Sequence, residues 1–172
     1  MRMNLLAVAI AGLAAGCAGA QSPGPKAVAQ LEATKGNTAT GTVTFEQRGG
    51  KVVVTAEVRG LKPNAEHGFH VHEKGDCSSG DGMSTGGHFN PKGAPHGQPG
   101  HGPHHSGDIP ALKADANGAA KLVWEGDELT VTDGPLSVVG RGVIVHRDPD
   151  DYKTQPTGNA GPRLACGVVK RI

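Results

Sequence analysis

Short runs of alternating apolar and polar residues constrain this chain most. "AVAQLEAT" (27–34), "GTVTFEQ" (41–47), "KVVVTAEVRG" (51–60) and "HGFHVHE" (67–73) repeat with a period of two. So do "DIPALKAD" (108–115), "GAAKLVWEG" (118–126), "RGVIVHR" (141–147) and "LACGVVKRI" (164–172). Alternate side chains of a strand face the same way, so each run has one face for a core and one for water or a covering loop. No segment carries the 3.6-residue period of a helix. Gly49-Gly50 fits a tight turn between the second and third runs, and Asn117-Gly118 reads as another hairpin turn. About eight short strands predict an all-β fold, an antiparallel sandwich or a Greek-key barrel.

The first twenty residues do not share this pattern. Arg2, an apolar run from Leu5 to Ala15 and small residues after it read as a secretory signal peptide, too short for a permanent membrane span. Ala18-Gly19-Ala20 is one cleavage site, with Gln21 as the mature start. Ala15-Gly16-Cys17 is a lipoprotein-type alternative in which Cys17 is lipidated and anchors the chain to a membrane. The expected organisation is a signal peptide (1–20), a flexible leader (21–26) and one domain (27–172). Export, to the periplasm of a prokaryotic-type cell, bears on the other cysteines. Cys77 and Cys166 are expected to pair in an oxidising compartment. That bridge closes a loop of roughly 90 residues, and chain entropy assigns it about 4–5 kcal/mol.

Charge excludes more than it suggests. There are 17 Lys and Arg against 16 Asp and Glu, and loss of the first twenty residues removes only Arg2. With no basic patch and few aromatics, no nucleic-acid partner is expected. No other segment is apolar enough to span a bilayer.

The anomaly lies between Lys74 and Gly107, where alternation stops and Gly, Pro, Ser and His take over. Unstructured loops beyond about 12–15 residues are usually functional or disordered. This one carries His88, His96, His101, His104 and His105, and ends at Asp108. A metal is the simplest means of ordering such a loop. On the strand before it, His70 and His72 fall on one face and His67 on the other, where a structural role is expected. A second loop, 148–163, follows the strand ending at His146.

Taken together, "GFHVHE", "GGHFNP", "GDIPAL", "GVIVHRDPDDY" and "GNAGPRLACGVV" resemble the copper–zinc superoxide dismutases, of the exported bacterial kind, from about residue 40 to the C-terminus. The resemblance implies an eight-stranded antiparallel Greek-key β-barrel with long metal-binding and electrostatic loops. It implies copper on His70, His72, His88 and His146, and zinc on His88, His96, His105 and Asp108, with His88 bridging the two metals. Asp150 matches the aspartate linking ligand histidines of the two metals. Arg163 matches the active-site arginine, and Cys77 and Cys166 the family disulfide. The implied substrate is superoxide, and members of the family include dimers and monomers. On the residues alone His104 competes with His105 as ligand; the register of the resemblance assigns His105. The loop from Asp150 to Arg163 is short, leaving Lys74 and Lys153 as candidate steering lysines, and Pro162 stiffens the approach to Arg163. The alternative reading is a non-catalytic exported copper or zinc carrier on the same fold.

Overall fold

The computed structural model describes residues 24–172. The expected signal peptide, its two alternative cleavage sites and Cys17 lie outside the described residues. Eight strands run in chain order: β1 (Lys26–Ala33), β2 (Thr40–Arg48), β3 (Lys51–Arg59), β4 (Glu66–His72), β5 (Asp108–Lys113), β6 (Ala120–Gly126), β7 (Gly142–His146) and β8 (Arg163–Arg171). All pair antiparallel, in the order β5-β4-β7-β8-β1-β2-β3-β6. The end strands β5 and β6 come side by side, so the sheet curls into a nearly closed barrel. One 3₁₀ turn, Met83–Thr85, is the sole helical element among the described residues.

Alternation places the core. β1 buries Ala27, Ala29 and Leu31, and β3 buries Val52, Val54, Ala56 and Val58, around Phe45, Phe69, Leu112, Leu129 and Val145. At the β2–β3 turn Arg48 faces Lys51 across Gly49-Gly50, with Gly49 at φ 57°. This is the left-handed conformation that two-residue hairpins require.

Two expectations need correcting. Asn117-Gly118 does not close a hairpin: it joins β5 to β6, which sit at opposite ends of the pairing order. Asp115 organises the turn by accepting the Asn117 and Ala119 N–H groups, and Leu61 donates to Gly118 O, so the turn makes a corner of the barrel. In addition, β1 begins at Lys26, the last residue of the expected leader. The strand starts there because Pro25 O accepts Gln47 N–H and Lys26 O accepts Ile172 N–H.

On β4 and β7 both faces are buried. Phe69, Val71, Val143 and Val145 point into the barrel core. The opposite face, carrying His70, His72 and Ile144, is covered by the two long loops. The 74–107 loop is fastened to β4 by Phe89 N–H to Val71 O and Val71 N–H to Gly107 O, and to the residue after it by Glu73 N–H to Gly87 O. Cys77 and Cys166 are disulfide-bonded, with Cα atoms 5.9 Å apart. The bridge ties the start of that loop to β8.

Candidate metal centre

Three histidines from two neighbouring strands, His70 and His72 on β4 and His146 at the end of β7, meet His88 from the covering loop. Each is at most 4% exposed. A ligand nitrogen from each lies within 4.8 Å of the others, and a second cluster of the same tightness joins His88, His96, His105 and Asp108. His88 belongs to both. His67 belongs to neither; its Nδ1–H donates to His146 O, a packing role at the base of the site.

Hydrogen bonds decide which nitrogen each ring turns inward. His70 Nε2–H donates to Asp150 Oδ2 at 2.7 Å, leaving Nδ1 free. His72 Nδ1–H donates to Gly86 O at 3.0 Å and His146 Nδ1–H to Gly161 O at 3.0 Å, leaving each Nε2 free. Those atoms, with His88 Nε2, are buried and have no hydrogen-bond partner. Four unpaired lone pairs converging in a buried site carry a desolvation cost that a divalent ion suited to imidazole, such as copper, removes. The donor set therefore fits copper.

The second cluster is built around a carboxylate. Asp108 Oδ1 lies 2.8 Å from His88 Nδ1 and 3.4 Å from His105 Nδ1. Asp108 Oδ2 lies 3.1 Å from His96 Nδ1, which is off the line of a hydrogen bond and unpaired. His96 Nε2–H is turned outward to Asp150 Oδ1 at 2.9 Å. Three imidazole nitrogens and one carboxylate oxygen are a closed tetrahedral zinc set. His101 and His104 are in neither cluster; His104 instead turns its Nδ1 to Gly102 O.

The metal-free electrostatics differ between the clusters. Burial and the neighbouring His70 lower His88 to about 4, although Asp108 pulls the other way. Burial and adjacent imidazoles push His72 and His146 well below the usual histidine range. Burial would lower His96 too, but the adjacent Asp108 carboxylate and the hydrogen bond to Asp150 raise it to about 9. Burial opposes ionisation of Asp108 and Asp150, yet hydrogen bonds from the histidines hold both well below the usual carboxylate range. Burial thus favours neutral imidazoles at His72, His88 and His146, and the second cluster is anchored by fixed negative charge.

Arg163, at the start of β8, reaches the same loop. Its Nη1 donates to Gly82 O (2.6 Å) and Thr85 Oγ1 (2.7 Å), and its Nη2 to Gly86 O (2.7 Å). The Nε–H and one Nη2 hydrogen have no partner among the described residues. Thr85 Oγ1 in turn donates to Gly82 O and lies 3.3 Å from His72 Nδ1. Burial lowers the Arg163 pKa, partly offset by Asp81.

Sequence reasoning did not single out Thr85, Tyr152, Gln155 or Gly158. Tyr152 N–H donates to Asp150 Oδ1, and its hydroxyl accepts Ala111 N–H from the β5 edge. Gly158 packs directly on the Asp150–His96 bond. For Tyr152 and Gln155 a polar residue inside the "DPDDYKTQPTGN" turn was the only available signal; Thr85, in the other loop, and Gly158 offered none.

Fold and site together define a β-barrel metalloprotein with two adjoining metal positions that share one histidine. Residues 39–169 match the family model described as copper/zinc superoxide dismutase (SODC). The Cu-Zn superoxide dismutases of Candida glabrata and Yarrowia lipolytica are each 46% identical over 152 residues, 84% of this chain and 96% of theirs. A crystal structure of the clock protein EA4 is 42% identical, with a TM-score of 0.77, covering 88% of this chain and 97% of that one. The chain belongs to the copper/zinc superoxide dismutase family.

Proposed function

We propose that this chain is an exported enzyme that converts superoxide to molecular oxygen and hydrogen peroxide. Copper would be held by His70, His72, His88 and His146, and zinc by His88, His96, His105 and Asp108. When bound, copper supplies a one-electron couple that accepts an electron from one superoxide and returns it to a second, while zinc supplies fixed positive charge. The observation that carries the reading is the set of four buried, unpaired imidazole nitrogens, one of them on a ring whose other nitrogen faces the Asp108 cluster.

The chain's residues have separate tasks. His88 turns one nitrogen into each cluster, so it gives up both ring protons when shared between two cations. When its Nε2 is not a ligand, that nitrogen would carry a proton taken from solvent and would supply one of the two protons of hydrogen peroxide, solvent supplying the other. Asp150 holds the rings of His70 and His96 by their outer nitrogens, fixing which nitrogen faces each metal. Arg163 keeps its positive charge and a two-hydrogen donor edge, suited to a small anion beside the four-histidine cluster. Its remaining hydrogen bonds fix the guanidinium in place.

The periplasmic assignment rests on the signal-type N-terminus and suits the Cys77–Cys166 disulfide. Intact mass and membrane fractionation of the chain beside Cys17→Ala separate cleavage after Ala20 from lipidation at Cys17. A homodimer is proposed on family resemblance alone, and light scattering reads it.

The decisive experiment loads residues 21–172 with copper and zinc and follows superoxide decay beside His146→Ala. Fast decay lost in the variant is expected. Slow decay in both, with copper bound, would overturn the enzyme and leave the metal-carrier reading.

A further inference from the structure

His96 is the ligand least supported by the barrel. It lies on no strand, and its backbone N–H and C=O have no main-chain partner among the described hydrogen bonds. Gln155 satisfies both. Its Oε1 accepts His96 N–H at 2.9 Å, and its Nε2 donates to His96 O at 2.9 Å. A side-chain amide thus does what a neighbouring strand would do, at a single residue.

The residue making this contact is itself held. Asp151 Oδ1 accepts the N–H groups of Lys153 and Thr154, and its Oδ2 accepts the Thr154 hydroxyl and the Asn159 amide. Asp151 N–H donates to Gly158 O and Gly158 N–H to Thr154 O. The turn from 151 to 159 is therefore self-supporting, although Gln155 is exposed. The same loop also holds the His96 ring, through Asp150 Oδ1 at 2.9 Å. One loop grips His96 at the ring and at the backbone, and those grips fix where Nδ1 points.

We propose that Gln155 is a positioning residue for zinc: its two-point hold on the His96 backbone sets how long the zinc cluster retains its ion. The inference rests on the zinc reading of the Asp108 cluster. The Gln155 side chain hydrogen-bonds only to the His96 backbone and Lys153 O among the described residues, and to none of the four histidines of the other cluster, so its effect falls on zinc in preference to copper. A general loosening of the loop would reach both clusters, because Asp150 also holds His70.

The test uses the metal-loaded chain, with Gln155→Leu, which removes both contacts, and Gln155→Glu, which keeps the acceptor for His96 N–H and loses the donor. Release of each metal to a chromophoric chelator is timed. Cobalt(II) placed in the zinc cluster reports its geometry through its visible absorption. Zinc release is expected to quicken at least tenfold in Gln155→Leu, with Gln155→Glu between it and the parent. Copper release should change less than threefold, and the cobalt bands should shift. Equal acceleration of both metals, or unchanged zinc release with an unchanged cobalt spectrum, would overturn the proposal. A parent chain that takes up no zinc would instead refute the zinc reading, so the two failures are distinguishable.

Discussion

Gly158→Ala tests how tightly the second loop is fitted to the metal centre. Gly158 has φ 65°, and an added Cβ would fall on Asp150 Oδ1 and 2.6 Å from His96 Nε2. Two costs combine. The left-handed backbone disfavours a side chain by about 1–2 kcal/mol. Parting the Asp150–His96 bond costs a further ~1.5–3 kcal/mol, the range for a hydrogen bond to a charged group. Gly49→Ala isolates the first term: Gly49 has φ 57° and nothing within 4 Å of its added Cβ. The difference between the variants in denaturant unfolding of the metal-free chain should therefore be about 1.5–3 kcal/mol. If zinc binding feels the same loss, its affinity falls roughly 10- to 150-fold. Both quantities are measured on the same preparations, by unfolding curves and by competition with a zinc chelator. Should Gly158→Ala cost no more than Gly49→Ala and bind zinc as the parent does, the close fit between this turn and the Asp150 bridge is wrong.

Reducing the Cys77–Cys166 bridge should lower stability by up to about 4–5 kcal/mol. It should also cut metal occupancy and rate together, since the bridge anchors the loop that fixes Arg163; full occupancy and full rate after reduction would count against that link. Tyr152→Phe removes the hydroxyl that accepts Ala111 N–H, at about 1 kcal/mol. A fall in Tm of roughly 2–4 °C is expected by calorimetry for a chain of this size. Zinc uptake by the metal-free chain should strengthen as pH rises. His96, raised to about 9 by Asp108 and Asp150 against burial, is protonated at neutral pH and must lose a proton to bind. His88, at about 4, is already neutral. Affinity should climb about tenfold per pH unit between roughly pH 6 and 9, then level off; a flat titration would contradict it.

The strands were legible because burial on one face imposes a period of two, and the observed ends fall within one or two residues of the alternating runs. His70, His72 and His146 were legible for the same reason: strand parity places them on a face. His88, His96, His105 and Asp108 could be assigned only through resemblance, since no periodicity governs a loop. The Asn117-Gly118 turn shows the limit of local chemistry. Its residues specify a reversal, but which strands then pair depends on the barrel as a whole. Gln155 and Gly158 were invisible for a related reason: each matters through one contact across the fold, and neither residue type announces it.

β4 carries two messages in one frame. Odd positions, Phe69 and Val71, are read by the barrel core, and even positions, His70 and His72, by the metal centre. A slip of one residue would exchange the readers, putting imidazoles into the hydrocarbon interior and Phe and Val beneath the loops. Misregistered chains thus lose core and ligands in one stroke, so a partly folded form with an intact metal face and a wrong core is not accessible. Competence of the four-histidine cluster therefore requires the correct register of the strand that bears two of its ligands.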